Sequence, residues 1–146
     1  MSDLTNFAEN KIIDAVLRGQ AIDTPANWHI ALATAVADAE AGSFTEATGT
    51  GYAREAVAAS LAAWSGTQST GSTAASSGSG GRSSNNAVIS FGTAGAGGWG
   101  TVTHVVFMDA ASGGNAWLVR ALAVSKTINA GDPVTFPANS LGVTAA

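Results

Sequence analysis

The sequence predicts a mainly β fold, an antiparallel β-sandwich or jelly-roll-like meander that carries one N-terminal α-helix. Three observations predict it. From Gly98 to Thr144 short apolar runs alternate with glycine, asparagine and aspartate turns, and Trp28 to Thr34 alternates large with small or polar residues at a period of two. Between Leu4 and Val16, by contrast, apolar residues recur three and four apart, the period of a helix. With 146 residues, the chain is expected to form one domain over residues 1–146. A domain of this size buries about 70% of its unfolded surface without needing staples.

The elements follow in order. Leu4, Phe7, Ala8, Ile12, Ala15 and Val16 form the helical stripe, Asp14 and Arg18 are an i, i+4 pair, and Gly19 stops the helix. That stripe needs a cover, either the sheet of its own subunit or a neighbouring subunit. In Trp28 to Thr34, Trp28, Ile30 and Leu32 share one face against His29, Ala31 and Ala33, so a core strand with one buried face is expected. Gly42 to Gly51 reads as a loop flanked or entered by Glu40 and Glu46. Tyr52 to Leu61 reads as extended, although the alanines of Arg54 to Ala63 also suit a helix.

From Gly66 to Asn86 the chain reads GTQSTGSTAASSGSGGRSSNN, too polar to offset the entropy of ordering a long segment. A flexible Ser/Gly-rich loop at about 66–86 between two strands of one fold is therefore expected, with an exposed tip touching another surface or a symmetry mate as its functional alternative. A strand over Ala87 to Phe91 follows. Thr101 to Phe107 and Ala116 to Val124 are rich in β-branched and aromatic residues, and Asp109 to Asn115 between them suits a hairpin connection. Asn129 to Asp132 makes a further turn. Pro133 to Pro137 fits an edge strand, because proline cannot donate to a central ladder.

Composition narrows the function. Charged residues are 11% of the chain, against about 25% in typical soluble domains. A surface of small neutral side chains approaches another protein with little desolvation cost, which suits permanent assembly. The formal net charge is −4, and the six cationic residues, Lys11, Arg18, Arg54, Arg82, Arg120 and Lys126, are scattered. No basic stripe offers itself to phosphates, so no nucleic-acid partner is expected. The chain has no cysteine, which removes disulfides, thiolate nucleophiles and zinc ribbons together. No apolar run reaches the roughly 18 residues of a membrane span, and no signal-peptide core is visible, so synthesis in the cytoplasm is expected.

Catalytic signals are thin. Gly95 to Gly100 matches G-x-G-x-x-G literally, but a strand follows it where a dinucleotide site needs a helix. His29 and His104 fall inside expected strands, and no nucleophile elbow, HExxH pair or calcium-type carboxylate loop accompanies them. Asp109 and Asp132 are explained by turn formation. Of the tryptophans, Trp28 and Trp117 fall in inward registers, while Trp64 and Trp99 border glycine-rich loops and are expected to be exposed. The expectation is a protein with no catalytic residues, no metal and no cofactor.

Four stretches carry a family resemblance: Gly51-Tyr52-Ala53-Arg54, Trp99 to His104, Phe107 to Asn115, and Lys126 to Asp132, preceded by the opening segment Asn6 to Lys11. In that order they resemble a family of small tailed-bacteriophage virion proteins usually labelled tail fibre protein. The segment Gly66 to Asn86 departs from it, being longer and richer in serine. The resemblance implies a virion protein whose partners are other virion proteins, the major capsid protein or tail proteins. A homo-oligomer, trimers included, is the expected state. Because the chain is short and shows no collagen-like repeat, heptad or long period that builds a shaft, an outer capsid decoration subunit is the first expectation. The alternative is an attachment module of a tail fibre or tail tip. Leu4 and Phe7 on the helical stripe, with Trp64 and Trp99, are the candidate subunit or partner contacts.

Overall fold

The alternating segment that begins at Trp28 forms the strand on which the main sheet is built. In the computed structural model, which describes residues 2–145, Met1 and Ala146 lie outside the described residues. The elements are α1 (Asn6–Arg18), β1 (Asn27–Asp38), β2 (Ser43–Glu46), β3 (Glu55–Ala58), β4 (Arg82–Ser84), β5 (Ile89–Thr93), β6 (Gly100–Met108), β7 (Ala116–Ile128), β8 (Pro133–Phe136) and β9 (Gly142–Thr144). The fold is mainly β with antiparallel sheets and a single N-terminal helix. A five-stranded sheet runs β2-β1-β6-β7, with β3 also on β1, and β4-β9 and β5-β8 form two-stranded ribbons.

One edge of β1 is shared. Asn27 to Ile30 pair with β3 and Ala33 to Asp38 with β2, while His29 to Ala33 pair with β6 across the other edge. One face of this sheet, carrying Ile30, Leu32, Val102, Val105 and Phe107, packs against Ile89, Phe91 and Leu141 and the half-buried Val134, Phe136 and Val143 of the ribbons. The opposite face is buried as well. Ala31, Ala33, Val106, Met108, Ala116 and Val119 form a second cluster covered by Val36 and Phe44. The expectation of one buried face for β1 is thus corrected to two: Ile30 to Ala33 are all buried, because alanine on the second face leaves room for the β1–β2 hairpin to come close. At that hairpin's turn Gly42 adopts φ +65°, and a Cβ there would press on the Ala116 methyl.

The helix is built as its sequence predicts but docks only at its start. Thr5 is the N-cap; its hydroxyl oxygen accepts from the Ala8 N–H at 3.3 Å and its O–H donates to the Ala116 carbonyl at 2.6 Å. Gly19 closes the helix at φ +65°. Ala8 is the residue of α1 that is fully buried. Upstream, the chain stitches the two layers together. Thr5 N–H donates to Trp117 C=O, Val119 N–H to Asp3 C=O, and Asp3 N–H to Thr144 C=O. The Asp3 carboxylate accepts the Thr144 N–H at 2.7 Å and faces Arg120 at 3.4 Å.

Three expectations are corrected, and one alternative falls away. The Gly42 to Gly51 loop contains β2. The extended reading of Tyr52 to Leu61 holds at Glu55 to Ala58, whose pairing with Asn27 to Ile30 overrides the alanine propensity for a helix. Strand β7 continues past Val124 to Ile128, with a register shift against β6 between Val102 and His104. The Ser/Gly-rich segment ends in structure rather than running to Asn86, since Arg82 to Ser84 pair with β9 and Ser84 and Asn85 are buried. Their polarity is satisfied from within. Asn85 Nδ2 donates to Ala87 C=O and Pro137 C=O at 2.8 and 2.9 Å, and its Oδ1 accepts the Leu141 N–H at 2.9 Å. Its main chain bonds Leu141 C=O and Asn139 N–H besides.

Asn85 therefore joins the end of β4 to the β8–β9 connection. Asn85→Ala leaves buried main-chain groups without partners and is expected to cost about 3 kcal/mol of stability. Asn85→Asp, which cannot donate to the two carbonyls, is expected to lose a comparable amount. Urea denaturation checks both; midpoints equal to the parent protein would remove Asn85 from this role.

Candidate functional site

The motif residues of the sequence converge on one cross-braced polar cluster. Arg54, its side chain 8% exposed, grips Glu46 with two parallel bonds, Nε to Oε1 at 2.9 Å and Nη2 to Oε2 at 2.8 Å. Its Nη1 donates to Ala110 C=O and Gly113 C=O, both at 2.8 Å. Tyr52 O–H donates to Glu46 Oε1 at 2.9 Å while its oxygen accepts the Leu32 N–H at 3.0 Å. The Arg54 hydrogen bond, against the opposing effect of burial, holds the Glu46 carboxyl below its ordinary value, and the same bond raises Arg54. Burial drives the Tyr52 phenol upward, so it stays protonated and can donate. The cluster ties β1, β2 and the β6–β7 connection together.

That connection has its own organiser. The Asp109 carboxylate accepts Asn115 N–H at 2.7 Å, Asn115 Nδ2 at 2.9 Å and Trp117 Nε1 at 3.2 Å. Burial alone would raise the Asp109 carboxyl; the bonds from Asn115 and Trp117 outweigh it and bring the carboxyl below its ordinary value. The glycine run Gly95 to Gly100 is likewise architectural. Gly98, at φ +67°, lies so close to the Ile128 carbonyl and Asn129 that no Cβ fits, and β6 rather than a helix follows. His104 Nδ1 lies 2.8 Å from the Thr103 hydroxyl. Among the described residues no group of three or more histidine, aspartate and glutamate side chains gathers as a metal site, and no helix is long and apolar enough to cross a membrane.

A mostly apolar concavity lies between the main sheet and the β4-β9 ribbon. It is a groove of about 500 Å³ walled by Trp28, Leu61, Trp64, Phe107, Leu118 and Val143, with the neutral hydroxyls of Thr24, Ser60 and Ser83 at its margins. Trp64 is held rigidly. Its ring packs tilted on Phe107 at 5.3 Å, and its Nε1 donates to Ala58 C=O at 3.1 Å. Trp28 stands edge-on to Phe107 and to Trp117.

Of the four contact residues expected from sequence, Trp64 lines this groove, and Leu4 and Phe7 stand one and two contacts away from it. Leu4 bridges to Leu118 in its wall. Phe7 stands edge-on to Trp117 at 5.3 Å, and Trp117 in turn packs on Trp28. Trp64 forms the wall itself. Trp99 belongs elsewhere: it is buried, edge-on to Tyr52 at 5.4 Å, with its Nε1 donating to Thr50 C=O at 2.9 Å. Its expected exposure is corrected, because the Gly95 to Gly98 turn folds the ring inward instead of leaving it at a loop tip. Trp28, Leu61 and Leu118 were not singled out as contacts. No local pattern marks them, since the groove exists only where three distant segments meet.

A family model described as Podophage GP4 fiber I protein gp80 matches residues 3–144. No curated protein matches the chain.

The carboxyl shifts set a pH dependence. Glu46 and Asp109 are lowered in the folded state, so their stabilisation is present above the unfolded carboxyl value and is lost as pH falls through the folded one. Thermal midpoints are expected to be level above about pH 5 and to drop on acidification. Glu46→Gln is expected to lower the neutral-pH midpoint and to flatten the acid limb; an acid limb as steep as the parent's would refute the assignment.

Proposed function

The chain belongs to the Podophage GP4 fiber I protein gp80 family, and from that premise we propose that it serves as a non-enzymatic structural module of a phage tail fibre or tail tip, assembled with other virion proteins. The observation that carries the reading is how the chain divides its groups. The polar residues that chemistry would need, Glu46, Tyr52, Arg54 and Asp109, are engaged with one another and with main chain. Apolar surface, by contrast, is left open in the Trp28/Trp64 groove and on α1. Such a molecule is equipped to hold partners rather than to transform a substrate.

The family description supports a fibre position over the capsid decoration expected from sequence. The argument for decoration was the lack of a shaft-building repeat, and that argument is weak for a fibre composed of several chains. A module of this size then contributes one segment, with α1, the Arg54-braced turn at Ala110 to Gly114 and the segment before β4 as its projecting features. Its place in the particle is the virion exterior.

Quantitative mass spectrometry of purified particles tests this. A fibre module is expected at far fewer copies than the major capsid protein; copies comparable with the shell protein would favour decoration, and absence from particles would defeat the virion reading. Purified protein is also expected to compete with phage for host cells if the module makes the attachment contact itself.

A further inference from the structure

We propose that the cleft between β7, β8 and β9 binds a small organic carboxylate, with its head on Arg82 and Arg120 and its apolar body along Leu122 and Phe136. The site goes beyond the fibre reading and does not depend on where in the particle the chain sits.

The six cations are scattered in sequence, yet the fold brings Arg82 of β4 and Arg120 of β7 to one cleft of about 240 Å³. Arg18, Arg54 and Arg120 each face a carboxylate, whereas Arg82 makes no ion pair among the described residues. Its position is built all the same. The Arg82 guanidinium lies against Gly142, its diagonal neighbour across the β4–β9 ladder, and a Cβ on Gly142 would collide with Nε, Cζ and Nη2. Gly142 is not among the positive-φ glycines, so the backbone does not call for glycine there. Close approach of the arginine does.

Arg120 is held loosely. Its Nη1 stands 3.4 and 3.5 Å from the Asp3 carboxylate oxygens, while Asp3 accepts its short bond, 2.7 Å, from the Thr144 N–H. Two guanidiniums against one carboxylate leave a single positive charge at this end of the cleft. A monoanion balances that charge and a dianion overshoots it. The planar head of a carboxylate also matches the fork of N–H donors that an arginine presents.

Beyond the arginines the cleft is largely apolar. Leu122, Phe136 and buried Leu141 line it, and the Ser140 hydroxyl is already committed to Pro137 C=O at 2.7 Å. Leu122 and Phe136 also line an adjoining pocket of about 190 Å³ walled by Leu32, Val102 and Val134, where Lys126 and Asp132 offset each other's charge. A register shift accompanies this arrangement. Ala121 to Lys126 of β7 lie against only His104 to Val102 of β6, so the segment carrying Leu122 leaves the ladder. Together the two pockets reach the size of small-molecule sites, roughly 300–1,000 Å³. They offer cations at one end and hydrocarbon beyond, which is what an aliphatic carboxylate requires.

Isothermal titration calorimetry of the full chain with octanoate tests the site, with acetate as the head alone and 1-octanol as the body alone. Octanoate is expected to bind one to one, and acetate and octanol at least about tenfold more weakly. Arg82→Gln and Arg120→Gln are each expected to weaken octanoate about tenfold. Gly142→Ala displaces the flexible end of Arg82 rather than main chain, so it is expected to weaken octanoate likewise while the thermal midpoint stays near the parent's. That variant separates loss of the site from loss of the fold. No saturable binding of octanoate, octanol binding as tightly as octanoate, or octanoate binding unchanged in both glutamine variants would overturn the proposal and leave the fibre reading, which rests on particle composition, untouched.

Discussion

Four consecutive residues of β1, Ile30 to Ala33, are buried on both faces of the main sheet, and a strand enclosed in this way requires two separate covers. The side chains decide which cover goes where. Ile30 and Leu32 project into the deeper layer, where the ribbons bring Phe91, Phe136 and Leu141 against them. Ala31 and Ala33 project the other way and leave space only for a closely applied cover, which the β1–β2 hairpin supplies with Val36 and Phe44. The long β1 strand serves both needs because its first half pairs with β3 and its second half with β2. The N-terminal segment then joins the layers, since Asp3 bonds β7 through its carbonyl and β9 through its amide and carboxylate.

With the apolar core so arranged, the few polar side chains act over long distances. Arg54 reaches the connection 56 residues further on, and Arg120 faces Asp3 at the other end of the chain. Asn85 links segments separated by 52 and 56 residues. In a chain with only six cations and ten anions, ion pairs used in this way define tertiary geometry rather than decorate a surface, and the buried bidentate pair carries more weight than the exposed Asp14–Arg18 pair on α1. This explains why the motif residues Tyr52, Arg54 and Asp109 look like a site in sequence and act as a brace in structure.

Local physics made much of the fold legible. The helix and its stop at Gly19, the β6–β7 hairpin around Asp109 to Asn115 and the proline-flanked β8 all follow from signals that act within a few residues. What escaped detection depends on partners far away in the chain. Strands β2, β4 and β9 are three or four residues long, too short for periodicity, and β4 is written in serine and arginine. Ser84 and Asn85 read as linker because burying them is unfavourable until β9 and Pro137 supply the bonds. Of the residues expected to make contacts, Trp64 lines a groove and Leu4 and Phe7 reach it only through other side chains or main chain, whereas Trp99 is buried although its flanking glycines were read as exposure. Here they permit close backbone approach over a buried ring.

The surface that remains after both covers are in place bears on assembly. Val88 and Val124 are exposed singly, 61% and 80%, and isolated residues of this kind are a normal consequence of limited polar area. The α1 stripe differs because Ile13, Val16 and Leu17 are neighbours on one helix face. It also differs because nothing in the core needed them: the helix is anchored by Thr5, Phe7 and Ala8, and polar residues at the three positions would leave those anchors intact. Apolar residues at exposed positions that the fold does not require point to a requirement outside the isolated chain. In a molecule with so little charge, contact with another protein is what such a face suits.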